Sequence, residues 1–164
     1  MLSPKLAQAF NAQITAEFHS SAFYLSMAAW LETENLPGMA RWMRLQADEE
    51  RGHGLKFFEH LLQRGQKVAL EAVAAPPAAF DGPEDIFKRV VEHEARVTGL
   101  VHALFETARA DKDYASESFL KWFVDEQVEE EAQARLIHEQ LRMTGGSKGG
   151  LLMMDHQLGK RAAA

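Results

Sequence analysis

A glutamate and a histidine, Glu50 and His53, stand three residues apart in LQADEERGHGLKF, whose other residues have the pattern of an amphipathic helix. On a helix this spacing places a carboxylate and an imidazole on one face, one turn apart. Both groups are metal ligands, and iron and manganese accept the pair more readily than calcium or magnesium. The segment therefore indicates a metal site, although an isolated Glu-x-x-His also occurs by chance.

The amino-acid composition excludes several kinds of site and partner. The 164 residues include no cysteine, which excludes disulfides, thiolate zinc sites and a cysteine nucleophile. The formal net charge is −6 and the one basic cluster is Gly159-Lys160-Arg161, so the sequence lacks the positive surface that nucleic-acid binding requires. Its first ten residues, MLSPKLAQAF, do not have the basic end and apolar run of a signal peptide, and no run reaches about 18 apolar residues. We therefore expect a soluble cytoplasmic protein whose partners are cations, not nucleic acid or a membrane.

The sequence predicts an all-α fold. Helix-forming residues dominate, and no stretch alternates between polar and apolar residues. Capping residues, prolines and glycines mark the helix ends. They predict four long helices and a short one, over residues 4–33, 37–64, 83 to 111–113, 115–143 and 151–158. The segment TGGSKGG, residues 144–150, is predicted to be a flexible hinge.

The connections predict how the helices are arranged. Short links make the first pair and the second pair antiparallel hairpins. The segment 66–82 can reach roughly 60 Å, whereas a helix of about 28 residues is about 40 Å long. It can therefore cross the whole bundle, so that the second and third helices run parallel. The expected fold is a single domain over residues 1–164, with a four-helix bundle over 1–144 and a hinge and short terminal helix over 145–164.

Each long helix carries one glutamate within its buried seam. Steps of four and three residues, which mark the seam of a bundle, pass through mainly apolar side chains and one carboxylate per helix. The four carboxylates are Glu17, Glu50, Glu94 and Glu130. Each lies about 11 to 14 residues into its helix, roughly 16 to 21 Å from one end, so all four share one level of the bundle.

Four carboxylates at one level of an apolar core require compensation. Unpaired, each would cost several kcal/mol and would raise the pKa of the others until some held protons. Two divalent cations supply the four positive charges needed, and His53 adds a neutral nitrogen ligand beside Glu50. Two other interpretations stay open: glutamates on solvated faces of mis-phased helices, or a purely structural helical bundle with a protonated or hydrated seam.

The whole chain resembles the bacterial non-haem ferritins of the ferritin-like di-iron superfamily. Glu17, Tyr24, DEERGH at 48–53, Glu94 and DEQVEEE at 125–131 fall where the motifs of that family fall. Many di-iron bundles of this kind carry a second Glu-x-x-His on the fourth helix. This chain departs from that pattern, because it has glutamine at 127 and glutamate at 130.

The resemblance implies a ferroxidase centre that binds two iron ions in each subunit. Its residues would be Glu17, Glu50 and His53 at one iron, and Glu50, Glu94 and Glu130 at the other, with Glu50 as the bridge. Haem is not expected, because bacterioferritin has histidine at the position of Glu130 and its haem-ligating methionine near position 52, which here is glycine.

Other residues resemble the supporting parts of that centre. Gln127 resembles a supporting or weakly ligating glutamine, and Tyr24 a one-electron donor, although a buried tyrosine is equally well explained as a core aromatic. A third iron site sharing Glu130 would use Glu49, Glu126 and Glu129. Runs of glutamates are usually solvated surface, which is the competing interpretation of these three.

The implied function is iron storage. Fe²⁺ would be oxidised by O₂ or H₂O₂ and stored as a mineral inside a homo-oligomeric cage of 24 subunits, a number that the resemblance alone supplies. The alternative is a di-iron peroxidase or oxidase that stores nothing. Residues 151–154, LLMM, would be exposed on a monomer and are expected to bury against other copies. The other six histidines lie off the seams and are expected at surfaces or interfaces: His19, His60, His93, His102, His138 and His156.

Overall fold

Five helices form the part of the chain that this computed structural model describes, residues 2–163, and no strand occurs there. They are α1 (Pro4–Thr33), α2 (Pro37–Gln63), α3 (Pro83–Ala110), α4 (Tyr114–Met143) and α5 (Lys148–Leu158). The all-α fold class is confirmed, and α1 to α4 begin and end within a few residues of the predicted positions. None of the helices in this range is both long and apolar enough to cross a membrane.

Local chemistry sets the helix ends. The Ser3 hydroxyl caps α1 by accepting a hydrogen bond from the backbone N–H of Leu6, and Asp113 caps α4 in the same way. Proline occupies the first turn of α1, α2 and α3, where its missing N–H costs nothing. Asn35 follows α1 with φ of 60°, and Gly65 follows α2 with φ of 68°. These left-handed conformations reverse the chain after each helix.

Contacts at one end of the bundle establish its topology. The Ser3 hydroxyl, at the start of α1, bonds to Asp111 at the end of α3. Arg64, at the end of α2, pairs with Asp113 at the start of α4, with Nη2 2.9 Å from Oδ2. The ends of α2 and α3 therefore lie at the same end of the bundle, so these helices run parallel and the predicted crossover is confirmed.

The crossover, residues 64–82, follows α1 along the bundle. The Asn11 side-chain oxygen accepts a hydrogen bond from the backbone N–H of Ala69 at 2.7 Å. The Ser26 hydroxyl, four turns further along α1, donates to the carbonyl of Pro77 at 2.6 Å. These contacts hold a non-helical segment in an extended path and deliver the chain to the start of α3.

The apolar core consists of two clusters with a polar layer between them. One contains the first halves of α2 and α3, the second halves of α1 and α4, and α5. The other contains the opposite halves of the four long helices, with Phe10, Phe57 and Phe123 at its centre. Each large apolar side chain buried here contributes roughly 1.5 to 3 kcal/mol. The layer between the clusters holds the seam glutamates.

Helix α5 begins at Lys148, three residues earlier than predicted. Residues 144–150 therefore do not form a flexible hinge throughout: Gly145 and Gly146, with φ of 57° and 77°, make the turn. The Ser147 hydroxyl then caps the helix by accepting from the N–H of Gly150. The cap compensates for the poor helix propensity of the two glycines that follow Lys148.

A buried carboxylate fastens α5 to the start of α2. Asp155 accepts a hydrogen bond from the backbone N–H of Met39 at 2.8 Å, which satisfies a donor in the first turn of α2. Gly38 permits this contact, since a Cβ at that position would overlap the backbone oxygen of Asp155. The chain end is thereby brought back against the bundle.

Candidate metal centre

The bundle buries the seven residues predicted for the di-iron centre, each no more than 6% exposed. They are Glu17, Tyr24, Glu50, His53, Glu94, Gln127 and Glu130. Four of them are carboxylates that come one from each long helix. The burial that the seam pattern predicts is therefore present, and the mis-phased arrangement with solvated glutamates is excluded.

Three of these residues converge on one point. Glu17, Glu50 and His53 each offer a ligand atom within 4.8 Å of the others, and no other set of three or more His, Cys, Asp or Glu residues between positions 2 and 163 does so. The Nδ1 atom of His53 is 3.5 Å from Oε2 of Glu50. This is the spacing in which two carboxylates and an imidazole can share one cation.

Glu17 provides the clearest sign that a cation fits there. Its Oε1 atom accepts a hydrogen bond from the Gln13 amide at 2.7 Å. Its Oε2 atom is the one buried side-chain nitrogen or oxygen in residues 2–163 that has no hydrogen-bond partner. A buried polar atom of this kind costs about 1 to 3 kcal/mol unless something binds it. A cation between Glu17, Glu50 and His53 would satisfy it.

Close contact between α1 and α2 builds this group. Gly54 lies one residue beyond His53, and a Cβ added to it would be 2.8 Å from the Phe18 ring and 3.3 Å from the Cβ of Glu17. The absence of a side chain lets the backbone of α2 approach α1 at this level. Glu17 is thereby placed opposite Glu50 and His53.

Glu94 has hydrogen bonds on both of its oxygens. The Tyr24 hydroxyl donates to Oε1. The Gln127 amide donates to Oε2 at 3.2 Å and also contacts the Glu94 carbonyl and the Thr98 hydroxyl. Gln127 and Tyr24 therefore hold the Glu94 carboxylate in a fixed orientation.

A second glutamine, Gln46, orients the Glu130 carboxylate in the same way. The Gln46 amide donates to Oε2 of Glu130 at 2.8 Å and to Oε1 of Glu50 at 3.3 Å. Gln46 lies on the predicted seam, but its type and spacing gave no sign that it joins the two carboxylates. The link depends on how α2 and α4 meet, which the sequence of neither helix encodes alone.

Burial dominates the electrostatics of the group. It raises the pKa of Glu17 and of Glu50 well above the ordinary glutamate value, with further increases from the Glu50 charge on Glu17 and the Glu94 charge on Glu50. Burial, followed by the Glu94 charge, raises the pKa of Glu130 to about 7. Burial also raises the pKa of Glu94, although the hydrogen bonds from Tyr24 and Gln127 oppose that change. The layer therefore favours either bound protons or bound cations.

A cleft of about 390 Å³ opens beside His53, between α2 and α4. Two of the three residues predicted for a third iron site, Glu49 and Glu126, line it. Glu129, the third, is exposed. Glu49 is paired with Arg161, whose Nη2 atom is 2.6 Å from the Glu49 carboxylate. Arg161 lies after α5, and nothing in the sequence indicated that it would contact Glu49.

Two of the histidines expected at surfaces or interfaces are buried within the subunit. His60 is 8% exposed and stacks on Phe119, with its Nε2 atom 3.1 Å from the Ser116 hydroxyl. His93 is 6% exposed and lies 2.8 Å from the Ser20 hydroxyl, and burial lowers its pKa to about 4. Both are neutral core residues at neutral pH. The seam pattern did not identify them as buried, because they lie beside the seams, where neighbouring helices cover them.

Comparison with known proteins gives consistent matches. The family model of the ferritin-like domain matches residues 7–144. A bacterial non-heme ferritin from Bacteroides fragilis is 41% identical over 161 residues, covering 98% of this chain and all of that protein. One from Staphylococcus aureus is 39% identical and covers 98% of this chain and 97% of the relative.

Solved structures agree with these matches. An open pore ferritin from the hyperthermophilic archaeon Archaeoglobus fulgidus superposes with a TM-score of 0.98 at 44% identity, over 99% of this chain and all of that chain. A humanized archaeal ferritin superposes with a TM-score of 0.99 at 41% identity, over the whole of this chain and 99% of that chain.

Proposed function

The chain belongs to the ferritin family, and from that premise we propose that it oxidises Fe²⁺ at the polar layer of its bundle and passes Fe³⁺ on for storage. As a ferritin, it is an iron-storage protein. The oxidation site is supported by the convergence of Glu17, Glu50 and His53, together with the buried Oε2 atom of Glu17 that has no hydrogen-bond partner.

Two iron ions per subunit would use the ligands on the two sides of Glu50. Glu17, Glu50 and His53 would hold the first, and Glu50, Glu94 and Glu130 the second, with Glu50 shared. Four carboxylate charges balance two Fe²⁺ ions, which supports this stoichiometry. Haem is not part of the proposal, because Gly52 offers no axial ligand on α2.

The reaction needs an electron acceptor, for which we propose O₂ or H₂O₂. Two Fe²⁺ ions give two electrons, which with two protons reduce O₂ to H₂O₂, or reduce H₂O₂ to two water molecules. The glutamates must lose their protons to bind iron, so iron loading itself releases protons at this layer. The cleft beside His53 gives small oxidants and water a path to the site.

Tyr24 would supply a further electron. Burial, followed by the Glu94 charge, raises the pKa of its hydroxyl well above the ordinary tyrosine value, so the group keeps its proton. Its hydrogen bond to Glu94 offers that proton an acceptor if the ring is oxidised. Gln127 would keep Glu94 in place during the exchange.

Storage requires more than one site and more than one copy. Glu49, Glu126 and Glu129, with Glu130, would form a third iron site at the cleft that Glu49 and Glu126 line. The chain would assemble with copies of itself into a cage of 24, located in the cytoplasm. Discrete dimers without a cavity would favour the alternative of a di-iron peroxidase or oxidase.

The oxidation site is tested by aerobic addition of Fe²⁺ to the protein and to Glu50→Ala, following the absorbance of oxidised iron. Glu50 is the shared ligand, so its loss should slow the rapid phase by at least about tenfold. Glu106→Ala is the matched control, since this exposed glutamate of α3 is far from the layer. Equal rapid-phase rates in Glu50→Ala and the unsubstituted protein would remove the assignment.

A further inference from the structure

The chain end after α5 lies against α2 and carries an arginine beside the metal centre. Arg161 is half-buried, and its backbone carbonyl accepts a hydrogen bond from Arg41 at 3.3 Å. Its guanidinium carbon lies 4.7 Å from the centroid of the Trp42 ring, a cation–π distance. The backbone of Arg161 is therefore held by Arg41, and its guanidinium lies against Trp42.

The guanidinium joins two residues that belong to different parts of the centre. Its Nη1 atom donates to Oε1 of Gln46 at 2.8 Å, and its Nη2 atom donates to Oε2 of Glu49 at 2.6 Å. Gln46 in turn donates to Glu130 and Glu50. The guanidinium thus contacts the Glu49 carboxylate in the cleft. It also contacts Gln46, whose amide links two carboxylates of the buried layer.

The contact with Gln46 fixes which way its amide faces. A guanidinium has five N–H donors and no acceptor, so it can only be approached by the amide oxygen. The NH₂ group of Gln46 is then forced toward Glu130 and Glu50, which need donors. Arg161 is therefore a positioning residue for Gln46.

The contact with Glu49 puts a permanent positive charge at the cleft. Arg161 offsets the negative charge of Glu49 through a hydrogen bond of 2.6 Å. A metal ion that used Glu49 as a ligand would have to displace this hydrogen bond and bring a second positive charge beside the first.

We propose that Arg161 competes with metal ions at the third iron site. Its guanidinium binds the Glu49 carboxylate until a metal ion displaces it, and this competition keeps the metal affinity of the site low. The inference rests on the proposed third site at Glu49, Glu126 and Glu129. Arg161 and the metal ion would then compete for Glu49, so that the side chain favours release of iron from this site.

The test is anaerobic calorimetric titration of the assembled protein with Zn²⁺, which binds the same ligands but does not react with oxidants. In Arg161→Gln the third site should bind roughly tenfold more tightly than in the unsubstituted protein, because Glu49 is freed from a charged hydrogen bond. The two sites of the buried layer should keep their stoichiometry. Arg161→Lys keeps the charge and should restore the weak third site.

Two further variants separate charge at the cleft from general disturbance. Lys160→Gln removes an exposed charge from the neighbouring position and should leave the titration unchanged. The double variant Arg161→Gln with Glu49→Gln should lose the gain, because the freed ligand is gone. Thermal unfolding in chelator should be similar for Arg161→Gln and Arg161→Lys if the effect is one of metal competition.

The outcomes distinguish the inference from the function beneath it. Two strong sites with no change at the third site in Arg161→Gln would overturn the role of Arg161 and leave the di-iron centre standing. A gain that persists without Glu49 would also overturn it. If the unsubstituted protein lacked the two strong sites, the proposed di-iron centre would fail, and the inference with it.

Discussion

At the scale of single residues, Glu17 shows what the site costs the protein. One of its oxygens is hydrogen-bonded to Gln13 and the other is buried with no partner. Its pKa is raised by burial first and by the Glu50 charge second. A sequence selected for stability alone would place an apolar side chain here. A metal ligand at this position, as proposed above, would account for the carboxylate.

These raised pKa values predict how the stability of the metal-free protein depends on pH. Between the ordinary glutamate pKa and the raised values, the folded state binds protons that the unfolded state has lost. Stability from these groups is therefore fully present below the ordinary glutamate pKa and is lost as the pH rises from there toward the raised values, which for Glu130 is about 7. The slope is up to about 1.4 kcal/mol per pH unit for each such group.

Denaturant unfolding in chelator, from about pH 5 to about pH 8, measures this slope. The lowered pKa of His93 acts in the opposite direction below about pH 6.5, and comparing a variant with the unsubstituted protein removes this shared contribution. Glu17→Gln should be less steep and more stable at the upper end, since the amide needs no proton. Glu92→Gln, at an exposed position of α3, is the control and should match the unsubstituted protein. A flat profile would show that the carboxylates are compensated without protons or metal.

At the scale of the helices, much of the arrangement could be predicted because it is local. Caps, prolines and glycines gave the ends of α1 to α4, and the seam spacing identified the glutamates that the bundle buries. The positions of Gln46 and Arg161 could not be predicted, since they arise where separate elements meet. The early start of α5 was not predicted because Gly149 and Gly150 have low helix propensity. The cap that Ser147 provides lets the helix begin before them.

Docking of α5 is tested by Gly38→Ala. The added methyl group would overlap the backbone oxygen of Asp155, so α5 should move away from α2 at a cost of about 1 to 3 kcal/mol. Hydrogen exchange should then be faster in α5 and in the segment that carries Arg161. Gly99→Ala in α3 has no atom within 4 Å of the new carbon and should stabilise by up to about 1 kcal/mol. Equal exchange in the two variants would contradict the docking contact.

At the scale of the whole molecule, α5 leaves apolar side chains uncovered. Leu152 and Met153 are 61% and 66% exposed, and Met143 at the end of α4 is 85% exposed. Together with Met154 and Gln157, two of them line a groove of about 390 Å³ between α4 and α5. An apolar surface of this kind on a ferritin is best explained by contact with further copies.

Met153→Glu should therefore weaken assembly. A carboxylate placed in a buried contact between copies would be desolvated, so light scattering after size-exclusion chromatography should show species smaller than those of the unsubstituted protein. Lys88→Glu, which also introduces a carboxylate at an exposed position, should leave the large species intact. An unchanged mass for Met153→Glu would mean that this face of α5 lies outside the contacts between subunits.

The division of the apolar core into two clusters has a mechanical consequence. Two apolar clusters separated by a polar layer resist separation of the helices less than one continuous apolar core would. Iron bound at the layer would tie together carboxylates from all four helices, so the stiffness of the subunit would rise as iron binds. The subunit without iron would then be the more flexible form.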